Sequence, residues 1–349
     1  MYVVKGEDKA MVVQKEERFD SAADGVCEKI RNYLKNLPPD VKKQTQEIRL
    51  RINRPVTICC PNGIFFIKRR GGLNCTPDFD DLIADRDDLE ESFRILCSYS
   101  IYSHENEIRN GYVTIQGGHR AGVCGTAVLQ DGQIGGMRDI SSVNIRVARE
   151  IPGCADKILT SLKENIAKGL LLAGPPSSGK TTILRDMARQ LSCGVRGNIR
   201  KIAVVDERGE IAAAYQGVPQ NDIGICCDVL DGYPKAEGIL LAMRSLSPQI
   251  IICDELGTER ETYAVEQSLN AGVGVIASMH AGNAAELMKR RQAVELLRTG
   301  AFPYVAVLGG STMPGSIAGI YKAGDLLAEI GGGDHADLRG ISRGVYGIA

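Results

Sequence analysis

Phosphate chemistry is suggested by one stretch of this 349-residue chain, Gly174-Pro175-Pro176-Ser177-Ser178-Gly179-Lys180-Thr181-Thr182, entered from the apolar run Leu170-Leu171-Leu172-Ala173. A strand, a glycine-bounded loop and a helix opening at Lys180 form a setting in which successive backbone N–H groups turn inward toward an anion. Gly174 and Gly179 permit the curl, and the dipole of the following helix adds partial positive charge at the same point. From such a loop Lys180 reaches the β- and γ-phosphates, and the Thr181 hydroxyl is placed to ligate Mg²⁺. Residues 174–182 therefore imply a site for a nucleoside triphosphate.

Two further stretches supply acids. Ile250-Ile251-Ile252-Cys253 runs into Asp254-Glu255. Carboxylates that end a hydrophobic strand lie at the C-terminal edge of a parallel sheet, beside the phosphate loop. One can hold Mg²⁺ through water and the other can accept a proton from an attacking water. The expected Mg²⁺ set is thus Thr181, Asp254 and Glu255. Val204-Val205-Asp206-Glu207-Arg208-Gly209-Glu210 ends another strand in acids, and parallel pairing brings it to the same edge. His280 closes the strand-like Val275-Ile276-Ala277-Ser278-Met279, where it can sense a γ-phosphate through a hydrogen bond. Which carboxylate polarises water stays open at this point.

These residues need a scaffold, and the apolar patterning describes one. From residue 151 onward, apolar strands over 169–173, 202–205, 250–253 and 273–277 alternate with helical stretches over 180–191, 234–246, 260–271 and 284–297. Continuous apolar strands separated by helices predict an α/β domain whose mostly parallel sheet is covered on both faces. Strand-like pieces follow at 304–308 and 316–321, and Gly331-Gly332-Gly333 opens a glycine-rich tail over 331–349.

Residues 1–150 read as a smaller α+β domain. Residues 1–18 are charged and weakly patterned, which predicts a frayed start. Val26, Ile30, Tyr33, Leu34 and Leu37 have helical spacing up to Pro38-Pro39, and Leu89, Phe93 and Leu96 mark a second helix. Ile48, Leu50 and Ile52 alternate with Arg49, Arg51 and Asn53, a strand with one basic face. Short strands are expected at 112–115 and 121–129, a turn at Asp131-Gly132 into 133–134, and a separate strand over 139–149. Ile151-Pro152-Gly153 is the expected domain boundary, giving domains 1–150 and 151–330.

Composition narrows the function classes. A net charge of −1 supplies no global field toward nucleic acid or acidic lipid. The Arg49-Arg51-Arg54 face, with Lys68-Arg69-Arg70, is a local basic patch that can meet a partner subunit or nucleic acid. It lacks the interleaved aromatics of a single-strand platform, so nucleic acid is not the expected partner. The eleven cysteines include no C-x-x-C pair or zinc spacing, and read as small buried hydrophobes in a reducing compartment. No signal-peptide core or membrane-length apolar run is present, which predicts a cytoplasmic protein.

With these motifs assembled, the sequence resembles the stage III sporulation protein AA family, sporulation-specific relatives of the type II/type IV secretion ATPases, over approximately residues 45–322. Glu47-Ile48-Arg49-Leu50-Arg51, Gly118-His119-Arg120-Ala121-Gly122 and Arg138–Arg146 carry the N-terminal part of the likeness. Residues 174–182, Val205-Asp206-Glu207-Arg208, Cys253-Asp254-Glu255 and Met279-His280-Ala281 resemble the Walker A, Asp-box, Walker B and His-box elements of secretion ATPases. The resemblance implies a RecA-like P-loop ATPase acting on ATP with Mg²⁺ and assembling as a homo-oligomeric ring, a hexamer. The ring would be recruited peripherally to membrane proteins of a channel on the mother-cell side of a developing spore. It also implies Glu255 as the Walker B acid, Glu207 or Glu210 as the Asp-box acid, and Arg146 and Arg149 as arginines able to complete a nucleotide site. Arg208 and Arg260 are further arginine candidates. Two rival readings remain, a nucleic-acid-stimulated translocating ATPase and a ring that nucleotide merely locks.

Overall fold

The computed structural model describes residues 17–331 apart from Asn110, Asp131, Arg196, Ser311 and Thr312, and divides between Arg149 and Glu150 into two units. In the C-terminal unit every central strand alternates between two buried faces. Leu170, Leu172, Ile202, Val204, Ile250, Ile252 and Ile276 share one core with Ile183, Leu184 and Met187 of the Lys180–Cys193 helix. Leu171, Ala203, Ile251 and Ala277 point the other way, against Ile239, Ala264, Val265 and Leu296 of helices on the opposite face. Burial of both sides is why these strands read as unbroken apolar runs.

The sheet order is Cys227–Asp231, Ile202–Asp206, Ile250–Cys253, Gly274–His280, Leu170–Gly174, Tyr304–Leu308, Ile317–Lys322. All neighbours pair in parallel except the last, which is antiparallel. Cys227–Asp231 was not expected, because an edge strand with one partner carries the mixed pattern of a half-covered surface. The expected helix over 284–297 is two helices, Ala284–Met288 and Arg291–Arg298. In one straight helix Leu287 and Ala293 would lie about 120° apart around the axis. The extended backbone at Arg290 lets both bury in the same core.

The N-terminal unit is built on an antiparallel sheet ordered Leu73–Asn74, Gly63–Ile67, Thr57–Cys60, Glu47–Arg51, Gln133–Arg146, His119–Gln130, Tyr112–Ile115. Ile48 and Leu50 are fully buried on one face with Ile30 and Leu34 of the Glu28–Lys35 helix. Of the stretch expected to fray, residues 1–16 lie outside the described residues, and 17–18 open a helical segment over 17–23 in which Phe19, Ala22 and Ala23 are fully buried. The separate strands expected around 133–134 and 139–149 are one long strand, Gln133–Arg146, paired along His119–Gln130. Its alternation is disguised by a register shift between Cys124 and Thr126. There Gly125 is required, since a Cβ would fall 2.5 Å from the Arg138 carbonyl oxygen.

Much of the expected basic patch is internally paired. Arg49 lies 2.7 Å from Glu47, and buried Lys68 lies 2.5 Å from Asp81. The cysteines are also less uniform than expected: Cys27, Cys97 and Cys253 are buried, but Cys75 and Cys124 are exposed.

The Arg86–Leu96 helix opens with a capping box in which the Asp85 carboxylate accepts from the Asp88 N–H at 2.9 Å. That bond, more than Lys29 nearby, holds the Asp85 pKa below its ordinary value of 3.8. Asp85→Ala should therefore lower stability by about 1 kcal/mol at neutral pH. A depressed carboxylate pKa stabilises the fold above its unfolded value and loses that contribution as pH falls through the folded one. The gap between variant and wild type in urea melts should narrow as pH falls through the acid range in which Asp85 takes up its proton.

Candidate nucleotide site

Parallel pairing delivers Gly174, Asp206, Asp254 and His280 to one edge of the sheet. The loop between Gly174 and Lys180 turns through positive φ at Ser177 (60°) and Gly179 (93°) and feeds its peptide groups into the Lys180–Cys193 helix. Ser178 is fully buried, and its Oγ has no hydrogen-bond partner among the described residues. Thr182 takes its place within the helix, its carbonyl accepting from the Cys154 thiol.

Lys180 is only 5% exposed. Its Nζ donates to the carbonyls of Gly174 (3.0 Å) and Pro175 (3.1 Å) and lies 3.0 Å from His280 Nδ1. Burial drives its pKa down, partly offset by the charges of Asp254 and Glu255. Three protein acceptors surround an ammonium poorly supplied with water, so an incoming phosphate would meet a cation with little hydration to lose.

The acids sit opposite. Thr181 Oγ1 donates to Asp254 Oδ2 at 2.6 Å. The other Asp254 oxygen accepts from the Ser278 hydroxyl and, at 3.0 Å, from the Glu255 N–H. Glu255 holds a left-handed backbone, φ 43°, that non-glycine residues adopt only at a cost of order 1–3 kcal/mol. It is retained by its N–H to Ser278 Oγ (3.1 Å) and by the Leu256 N–H to the Ser278 carbonyl (2.9 Å). Glu255 Oε1 lies 2.6 Å from His280 Nε2, and Oε2 lies 3.2 Å from Arg208. Because the Lys180 ammonium only donates, His280 accepts at Nδ1 and presents its Nε2 proton to Glu255.

The sequence-derived acids thus meet in one place, but not in equivalent settings. Asp206 is buried, and its carboxylate accepts from the N–H groups of Glu210 (2.9 Å), Ile211 (3.0 Å) and Ala212 (2.8 Å). It holds the shape of the loop that carries Glu207, Arg208 and Glu210. Those three residues, with Asp206, Lys235, Asp254 and Glu255, line one cleft.

In the N-terminal unit, Arg149 donates to the carbonyls of Thr45 (2.8 Å) and Lys43 (3.3 Å), so it caps the end of the Pro39–Gln44 helix, and burial lowers its pKa. Arg146 is 68% exposed, with Glu47 at 3.6 Å. Arg260 lines a surface groove beside Tyr263.

Two residues of the site escaped the sequence reading. Ser278 was findable, since it lies two residues before His280 and therefore on the same face of the strand. Lys235 follows Pro234 in a helix start, and nothing in the sequence marks it.

The strand carrying His280 lies between the loop strand and the acid strand, in a parallel sheet with helices on both faces. Together with the loop, this defines a RecA-like P-loop fold, preceded by an α+β unit. The chain belongs to the family described as Sporulation stage III, protein AA, whose model matches residues 16–326. It is 39% identical over 316 residues to Stage III sporulation protein AA of Bacillus subtilis (strain 168), covering 90% of this chain and 99% of that one. Among solved structures it is similar to the pilus retraction motor PilT with bound ADP (15% identity, TM-score 0.48, 75% of this chain and 74% of that chain). It is also similar to the Legionella pneumophila ATPase DotB (16% identity, TM-score 0.47, 75% and 72%). Among the described residues no helix is long and apolar enough to cross a membrane.

Proposed function

We propose that the unit beginning at Glu150 binds ATP with Mg²⁺ and hydrolyses it, and that the chain works as a ring-forming motor or gate of a sporulation channel. The observation that carries the chemistry is the convergence of Lys180, Thr181, Asp254, Glu255 and His280 on one sheet edge. Family membership supports the setting in spore formation.

The residues fit the nucleotide. The loop of residues 174–179 would wrap the phosphates with backbone N–H groups, and Lys180 would exchange its carbonyl and histidine partners for phosphate oxygens. Thr181 and Asp254, already 2.6 Å apart, are suited to hold Mg²⁺ directly or through water, with Glu255 at its margin. Bound there, Mg²⁺ would neutralise charge on the β- and γ-phosphate oxygens. Glu255 orients the attacking water and takes its proton, while His280 passes its hydrogen bond between Glu255 and the γ-phosphate. Of the two arginines named by the resemblance, Arg146 is the better candidate to complete a nucleotide site in a neighbouring copy within the ring, because Arg149 is committed to helix carbonyls. Domains 1–150 and 151–330 would then serve as assembly and motor domains, while the tail over 331–349 lies beyond the described residues except at Gly331.

A second reading, a ring locked by nucleotide without turnover, has one observation in its favour: both Glu255 carboxylate oxygens are already engaged. The test is retention of labelled ATP in magnesium buffer, with phosphate release and particle mass followed with and without ATP. Retention, release and a mass increase toward a ring are expected. A folded chain that retains no nucleotide sinks the proposal.

A further inference from the structure

We propose that Lys235 is a positioning residue that withholds Glu207 from the chemistry of the cleft and leaves Glu255 to act on water, an inference that rests on the ATPase reading above. Lys235 is the first residue of the Lys235–Ser245 helix and is 8% exposed. Both facts weigh against a cation, since the positive end of the helix dipole repels it and burial strips its water. Two carboxylates from different elements compensate. Glu207 lies 2.6 Å from Lys235 Nζ and Glu261 lies 3.7 Å away. Burial alone would lower the Lys235 pKa, yet these partners leave it raised.

The helix is brought into position by Gly238, where a Cβ would stand 2.5 Å from Val205 Cγ1 on the strand that ends in Asp206. Each partner of Lys235 leads to the acid loop. Glu261 Oε2 accepts the N–H groups of Gly257 (2.7 Å) and Thr258 (2.9 Å), two and three residues after Glu255 in the chain. Glu207 precedes Arg208, which pairs with Glu255 at 3.2 Å. Lys235 therefore ties the two acid-bearing loops together and holds Glu207 through a cation whose side chain is only 9% exposed, whereas the cation on Glu255, Arg208, is 61% exposed and the other Glu255 oxygen meets His280. Glu207 Oε2 is committed to a buried ammonium 2.6 Å away, and turning that oxygen toward a water would strand the Lys235 charge without its nearest partner.

The test uses the full chain with ATP and Mg²⁺. It combines phosphate release, binding of a fluorescent ATP analogue and thermal melting for Lys235→Met, Lys235→Arg, Glu207→Gln, Glu255→Gln and the Lys235→Met/Glu207→Gln pair. Lys235→Met is expected to lower kcat about tenfold or more with KM within about threefold, and Lys235→Arg and the paired variant should each recover part of the loss. Glu207→Gln should cost at least about tenfold less turnover than Glu255→Gln. If Glu207→Gln is as damaging as Glu255→Gln, or Lys235→Met turns over like wild type, the inference is overturned. The glutamate comparison decides the matter even should Lys235→Met fail to fold. A chain that hydrolyses no ATP overturns the ATPase reading, whereas melting temperatures without coupling between positions 235 and 207 overturn the pairing itself, so the two failures are distinguishable.

Discussion

Lys180→Ala is expected to reduce phosphate release by about 10²–10³-fold or more while the protein still melts cooperatively near the wild-type temperature. Both halves follow from the environment of the side chain. A buried ammonium aimed at the loop is the group best placed to meet charge developing on a transferred phosphoryl, and alanine leaves nothing to replace it. Stability should barely suffer because folding disfavours the charged form of Lys180, as its lowered pKa shows. With a folded pKa below its unfolded value, the unfolded chain binds more protons between the two, so stability rises with pH across that alkaline window. Lys180→Ala should remove this rise, which a comparison of urea melts at neutral pH and near pH 10 would register. Undiminished turnover by a folded Lys180→Ala protein would refute the site.

Glu255→Gln should bind ATP and stall, with turnover lowered about 10²–10⁴-fold. The substitution keeps the size of the side chain and an oxygen to accept from His280 Nε2, but removes the group that takes a proton and weakens the pairing with Arg208. Nucleotide-dependent assembly should persist, since Lys180, Thr181 and the loop are untouched. Single-turnover phosphate release beside analogue binding separates the readings. A stalled but loaded protein identifies a motor, whereas full activity in the cell without hydrolysis identifies a locked scaffold. Wild-type hydrolysis by Glu255→Gln would move the proton acceptor elsewhere in the cleft.

Much of the site was legible because it is local in sequence or fixed by parallel pairing. The residues of the loop are consecutive, and Asp254, Glu255 and His280 each terminate an apolar run, so the sheet edge could be inferred before any contact was known. Legibility failed where a pattern depends on distant partners. The break at Arg290 follows from the core that Leu287 and Ala293 both face. The long Gln133–Arg146 strand is disguised by a bulge that only its partner strand makes sense of. Lys235 looks like any helix-start lysine until residues 207 and 261 are brought to it.

The amino-acid order by itself determined the glycine-bounded loop, the alternation of buried strands with helices, and the set of acids at one edge, because backbone conformation and burial periodicity are short-range properties. Only the tertiary structure decided how those acids differ: Asp206 is consumed by backbone N–H groups, Glu207 is bound to Lys235, and Glu255 faces His280 and Lys180. The physical reason is that the chemistry of a carboxylate depends on the charges and donors within a few ångströms of it, and here those come from segments far apart in the chain.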